Sequence, residues 1–363
     1  MGGDWSELNS DLLHLISKKL EKFSNLIRFR SVCKQWRLAV DSTDLPPQLP
    51  CLLQPDPTLF STSYSAFSVS SNTTSQVKLP IGHREFKHTF HRAPSIGYLL
   101  VNSFTPVKLQ FLLNPVTENK LHLPFPKGTL FHRMIYMGPN PNSNSRTAKE
   151  GVHSVVLVLD RFEKTPIKSI MFWQSNINKI TTFRIPSISG PALPGYYKGK
   201  LFVTRWDRGE TNVFDMETGA EMNVVIPNPN EHSMFFFLVE AMGDLLGVVH
   251  HYNYDGGIRE FKFKVYRLEH TDEFDECRWI ELQGIGDRVL FLTRNQGFCL
   301  STSDFKGFRG NCIYYLELVE DRNKDGQRSY NRRLLRYNME DGTKDELLNN
   351  VDFYATWFVP SLS

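Results

Sequence analysis

The side chains that could do chemistry are present but scattered. His83, His88 and His91 fall within GHREFKHTFH, yet a metal site needs convergent ligands, and no acid pair stands beside these imidazoles. His250 and His251 are neighbours at the end of a strand-like run, so their side chains point to opposite faces. They read as a solvated or hydrogen-bonded pair and not as two ligands of one ion. The glycines of LQGIGDRVLF lack the full G-x-G-x-x-G spacing and lead into a strand, which makes them turn glycines. Lys127-Gly128-Thr129 reverses the order that a phosphate-binding loop requires, and no G-x-S-x-G nucleophile elbow occurs. The five cysteines, Cys33, Cys51, Cys277, Cys299 and Cys312, are odd in number and contain no C-x-x-C pair, so neither a disulfide framework nor a zinc site is signalled. Catalysis needs a nucleophile, a base and a charge stabiliser brought together. The chain reads as a non-enzyme with no cofactor, no metal and no cofactor-binding residues.

What remains is surface and shape. The 363 residues carry 42 Lys and Arg against 39 Asp and Glu, a formal net charge of +3 that is too small to imply nucleic-acid binding. No apolar run reaches the ~18 residues of a membrane helix, and the acidic start MGGDWSELNSD does not resemble a secretory signal. Reduced thiols fit a protein of the cytoplasm or nucleus. MGGDWS does fit the pattern for acylation of Gly2, but no second anchor follows, and no membrane partner is expected. Asn72-Thr73-Thr74 is formally a glycosylation sequon that stays silent without a secretory signal.

The elements come in two kinds. In SDLLHLISKKL, Leu12, Leu13, Ile16 and Leu20 recur at helical spacing, with Ser10 as N-cap and Asp11 in the first turn. A second helical pattern opens near Ser24, and its stripe Leu26, Phe29, Cys33, Trp36 and Val40 steps by three and four. Roughly 40 residues cannot bury this much apolar surface alone, so the surplus face either docks on the rest of the chain or waits for a partner. A proline-rich linker, 42–50, follows.

From residue 51 onward, short apolar or alternating runs bounded by Gly, Pro, Asn and Asp predict strands; examples are GYLLVNSF, SVVLVLD, GKLFVTRW, DLLGVVHHY, FKFKVYRL and RVLFLTR. Aligned by their turns NPVTEN, DMETGA and NMEDGT, the runs repeat, and Gly199 to Gly243 spans 44 residues, a propeller-blade length. Segments near 50–80, 96–124, 152–186, 196–227, 235–284 and 289–348 predict a mainly β chain whose propeller has about six blades, with five or seven left open. The last strand, FYATWFV, is expected to pair with the first blade. Two polar stretches read as loops: 138–151 between blades, and 320–336 as a long hairpin loop.

Residues 5–40, WSELNSDLLHLISKKLEKFSNLIRFRSVCKQWRLAV, resemble an F-box, the helical module that joins substrate receptors to the Skp1 adaptor of cullin-RING ubiquitin ligases. The resemblance rests on Leu8, Asp11-Leu12-Leu13, Ile16, Leu20, Arg28-Phe29-Arg30 and Val32-Cys33-Lys34-Gln35-Trp36-Arg37. F-boxes usually open Leu-Pro; Asn9 replaces the proline here, which is expected to loosen the first turn and slightly weaken adaptor binding. The resemblance implies that Leu8, Leu12, Leu13, Ile16, Leu20, Val32 and Trp36 share adaptor packing and module core, without saying which does which. Skp1-type adaptors are acidic, so Lys18, Lys19, Lys22, Arg28, Arg30, Lys34 and Arg37 are expected to favour encounter.

Beyond the linker the chain is similar to the KIB-type β-propeller that follows the F-box in many plant proteins, on the strength of LLNPVTENKLHLP, YYKGKLF, FFFLVEAMGDLLGVV, FKVYRL and GFRGNCIYY. The expected organisation is an F-box over 1–41, a linker over 42–50 and a propeller over 51–363. These resemblances imply a non-catalytic substrate receptor of an SCF (Skp1-cullin-F-box) E3 ubiquitin ligase that directs ubiquitination and proteasomal degradation of an unidentified protein substrate. Tyr196, Tyr197, Trp206, Tyr252 and Tyr254, read as loop aromatics, are the candidates for its substrate surface. Two other readings stay open at this point: an F-box scaffold acting outside ubiquitin ligation, and a propeller enzyme acting on a small molecule.

Overall fold

The computed structural model describes residues 5–20, 23–40, 49–56, 63–80, 89–91, 95–103, 110–124, 133–137, 154–159, 168–175, 179–185, 192–205, 210–215, 221–225, 234–255, 258–270, 277–293, 296–322, 328–352 and 355–360. The linker stretch 41–48, the polar segment 138–151, His83, His88 and Trp206 therefore lie outside the described residues. The chain falls into two compact units. The first takes 1–127, 304–307 and 352–363; the second takes 128–303 and 308–351.

The first unit opens with a 3-10 turn, Trp5–Glu7, and three helices, α1 (Ser10–Ser17), α2 (Phe23–Ser31) and α3 (Lys34–Leu38). The cap of α1 is Asn9 and not Ser10: the Asn9 side chain accepts the Asp11 N–H at 2.9 Å. Its φ of −55° is also the value that a proline ring would impose, so the substitution for proline keeps the backbone and adds a cap. The second apolar stripe does not lie on one helix. Cys33 is extended, at φ −161° and ψ 175°, and breaks the chain between α2 and α3. The stripe nevertheless converges, because Phe29 and Trp36 pack against each other across the break, their rings tilted by 45° with centroids 4.6 Å apart.

Two sheets complete this unit. The first has the order Thr73–Lys78, Ser63–Ser68, Cys51–Pro55, Thr356–Val359, Ser95–Ile96. Its fourth strand comes from the C-terminus and pairs antiparallel with the first strand of the chain, Leu52 opposite Trp357, as FYATWFV leads one to expect. The second sheet orders Thr89–His91, Leu99–Ser103, Gln110–Leu113 and Lys120–His122.

The second unit holds four sheets. Three are four-stranded meanders over 133–185, 192–225 and 234–282. The last orders Gln296–Ser301, Arg288–Thr293, Cys312–Arg322, Arg328–Asn338 and Lys344–Leu348, with a parallel pairing between its second and third members. Among the described residues the chain thus forms six sheets of four or five strands. Adjacent sheets approach closely where glycine removes a side chain. A Cβ on Gly195 would sit 2.9 Å from Leu238 Cβ, and one on Gly297 would sit 2.8 Å from Val239 Cγ2.

The turns repeat as the strands do. Asn114 Oδ1 accepts the N–H groups of Val116 and Thr117 at 2.9 and 3.1 Å, its N–H donates to Asn119 O, and Glu118 takes φ 64°. In NMEDGT, Asn338 Oδ1 accepts the Glu340 N–H at 3.1 Å, its N–H donates to Thr343 O, and Gly342 takes φ 71°. One turn chemistry, an Asx turn closed by a left-handed fifth residue, therefore recurs at equivalent places in two sheets.

The stretch 320–336, expected as a loop, is mostly strand: Cys312–Arg322 and Arg328–Asn338 pair antiparallel over their length. Its charges mislead because they pair across strands, Arg333 with Glu346 at 3.3 Å and, beside them, Arg336 with Asp345 at 2.6 Å. Arg332 is buried within this strand.

Candidate docking face and its support

The seven F-box residues separate by burial. Leu13 is wholly buried, and Leu8, Leu20 and Trp36 are half-buried against the same core. Leu12, Ile16 and Val32 are exposed by 50%, 41% and 51%. On α1 the division follows helical geometry. Leu13 and Ser17 lie one turn apart on the inner face, while Leu12, Leu15 and Ile16 share the outer one. Leu15, Trp5 and Leu38, absent from the expected set, are exposed by 59%, 70% and 73%. Among the described residues eight large apolar side chains are this exposed, and six of them lie between Trp5 and Leu38. Isolated exposed apolar residues are ordinary; five on three short helical elements and a sixth, Val32, at the junction of α2 and α3 are not.

The face is held by side-chain to backbone bonds. Trp36 Nε1 donates to Trp5 O at 2.9 Å and Gln35 Nε2 to Leu8 O at 3.2 Å, fastening the entry segment to α3. Arg30 Nη1 donates to Arg37 O at 3.2 Å and Arg37 Nε to Arg30 O at 3.3 Å, a reciprocal pair that bridges the break at Cys33. Arg30 also donates through Nε to Val116 O at 3.1 Å, in the turn of the second sheet. It is half-buried, and desolvation together with Arg37 holds its pKa below the ordinary value while Glu118 acts in the opposite sense. Arg30 is therefore a strut and not part of a solvated basic border. Lys18, Lys19, Arg28, Lys34 and Arg37 are exposed; Lys22 lies outside the described residues.

Trp206 lies outside the described residues, and the other four aromatic candidates for a substrate surface are strand residues and not loop residues. Tyr196 and Tyr197 end the strand Ala192–Tyr197, and Tyr252 and Tyr254 lie within Asp244–Asp255. Tyrosine packs well on a pleated surface, and that preference outweighed the turn-like composition around it. Tyr197 is buried and donates its hydroxyl to Gly243 O, while Tyr196 stacks on Phe172 at 5.6 Å. Both serve packing between sheets.

Nor do the other reactive groups form a site among the described residues. His250 and His251 are both buried rather than solvated. His250 stacks on Phe263 at 4.4 Å, and burial, followed by the charges of Lys344 and His251, lowers its pKa to about 3. None of the five cysteines is in a disulfide, and burial pushes the thiols of Cys51 and Cys299 up to about 12, which keeps them protonated and unreactive. Among the described residues no three His, Cys, Asp or Glu side chains cluster as a metal site would require. No helix there is long and apolar enough to cross a membrane.

A small helical module with an apolar outer face, set before a run of repeated, mainly antiparallel sheets, defines an F-box protein with a β-propeller. The F-box domain family model matches residues 5–47, and that of the KIB1-4 beta-propeller matches residues 66–338. The chain belongs to the KIB1-4 β-propeller family and carries an F-box ahead of the propeller. It is 25% identical over 420 residues to F-box protein SKIP23 of Arabidopsis thaliana, covering 98% of this chain and 94% of that relative. F-box protein At2g17036 of the same plant is 24% identical, with 98% and 93% covered. A 35-residue stretch, 10% of this chain and 8% of the relative, is 57% identical to Arabidopsis F-box protein At2g17690.

Proposed function

We propose that this protein is the substrate receptor of an SCF-type ubiquitin ligase, binding a Skp1-type adaptor through Leu12, Leu15, Ile16, Val32, Trp5 and Leu38 and a protein substrate through the propeller. The observation that carries this reading is the concentration of exposed apolar side chains on the helical elements. Such a face is stable in water only at a cost that an apolar partner surface removes. Exposed Lys18, Lys19, Arg28, Lys34 and Arg37 suit an acidic partner and would act mainly on the association rate. The chain itself would perform no bond chemistry. It would raise the effective concentration of substrate lysines near a ubiquitin-loaded enzyme, which is catalysis by proximity. The F-box covers 1–41 in this reading and the propeller 51–363, and the protein works in the cytoplasm, the nucleus or both.

The test is made in plant cells with a tagged full-length chain. A cullin should co-purify with it, and proteins captured by the propeller should turn over more slowly when Leu12→Asp and Leu15→Asp are introduced together. Captured proteins whose lifetimes ignore both substitutions would support a binding scaffold outside ubiquitin ligation and overturn the receptor reading.

A further inference from the structure

The F-box helices and the first two sheets share one hydrophobic core. Leu13, Leu26, Phe29 and Val40 from the helical region belong to the same buried cluster as Leu53 and Tyr64 of the first sheet and Leu99, Phe111 and Leu113 of the second. A hydrogen bond from a charged donor reinforces that core: Arg30 Nε reaches Val116 O, 86 residues along the chain. Val116 is buried, and its position is set by the Asn114 turn that bonds the Val116 N–H. A module hung on a proline-rich tether would show neither feature.

We infer that the helical module is an integral part of the first two sheets, latched by Arg30, so that residues 10–38 and the strands Cys51–Pro55, Leu99–Ser103 and Gln110–Leu113 open as one cooperative unit. Two consequences follow. A partner seated on Leu12, Leu15 and Ile16 is carried at a fixed orientation to these sheets, because the core beneath α1 is also the core of the strands. Deleting the helical region removes Leu13, Leu26, Phe29 and Val40 from the core that also holds Leu53, Tyr64 and Leu99, and so damages the sheets. The first consequence uses the adaptor reading above; the cooperative unit does not depend on it.

Native-state hydrogen exchange on the full-length chain without adaptor, followed in rising urea, distinguishes the two arrangements. The expected result is one shared opening: amides of α1, α2 and α3 and of the three named strands converge on the same protection and the same urea dependence. Arg30→Met keeps the apolar stem and removes the donors, and it should lower protection in helices and strands together by about tenfold, as loss of a charge-assisted bond implies. Arg28→Met, an exposed position on the same helix, should leave both unchanged. Helices that exchange through an opening of their own while the strands stay protected would overturn the inference. So would Arg30→Met lowering protection in the helices alone. Should Arg30→Met fail to fold, the wild-type pattern decides by itself.

Discussion

His250 shows how a side chain that suggests chemistry can instead be a structural device. It lies in a sheet core, stacked on Phe263 and edge-on to Tyr315 at 5.4 Å, with Lys344 and His251 as the nearby charges. Folding holds its pKa at about 3, well below the ordinary imidazole value of about 6.5, so the unfolded chain binds the extra proton first as pH falls. Its contribution to stability is whole above about pH 6.5 and is lost progressively as pH falls from there towards 3, by up to about 1.4 kcal/mol for each pH unit. His250→Phe should flatten this part of the stability profile, measured by urea unfolding at pH 7, 6, 5 and 4. An unchanged slope would mean that the imidazole does not stay neutral in the fold. Asn9 carries the complementary lesson. A residue that looks like a defect in a family pattern keeps the proline-like φ and caps α1 with its own side chain.

Turn chemistry made the β elements legible. Gly199 and Gly243, 44 residues apart, take positive φ in the turns between the first two strands of their sheets, and Gly342 takes it in the turn between the last two strands of another. Gly342→Ala should therefore cost about 1–2 kcal/mol, the penalty of a Cβ in left-handed backbone, read as a lower urea midpoint at unchanged slope. An unaffected midpoint would show that the turn relaxes freely. Elements whose identity depends on tertiary partners were harder to read. The break at Cys33 is hidden because residues on either side keep the helical spacing, and their convergence comes from the tilted packing of Phe29 against Trp36. Charged strands near 320–336 look like a loop until Glu346 and Asp345 are seen on the neighbouring strand. The division of Leu12 from Leu13 could not be read either, since both fit the helical stripe and only packing decides which faces inward.

At the scale of the molecule, the first unit serves two roles with one set of helices: an inner face that completes the core of two sheets and an outer face left apolar. That double use makes deletion of the helices a poor probe of docking, because it removes core as well as surface. Point changes on the outer face separate the two roles. The most direct measurement is calorimetric titration of the purified full-length chain with a plant Skp1-type adaptor, beside the double variant Ile16→Asp, Val32→Asp. Thermal unfolding should first establish that both proteins are folded alike, as the exposure of Ile16 and Val32 leads one to expect. The account predicts that the intact chain binds and that the double variant loses at least about a hundredfold in affinity, the scale for two buried interface anchors. An intact chain that does not bind, or a double variant that binds as well as the parent, would contradict it.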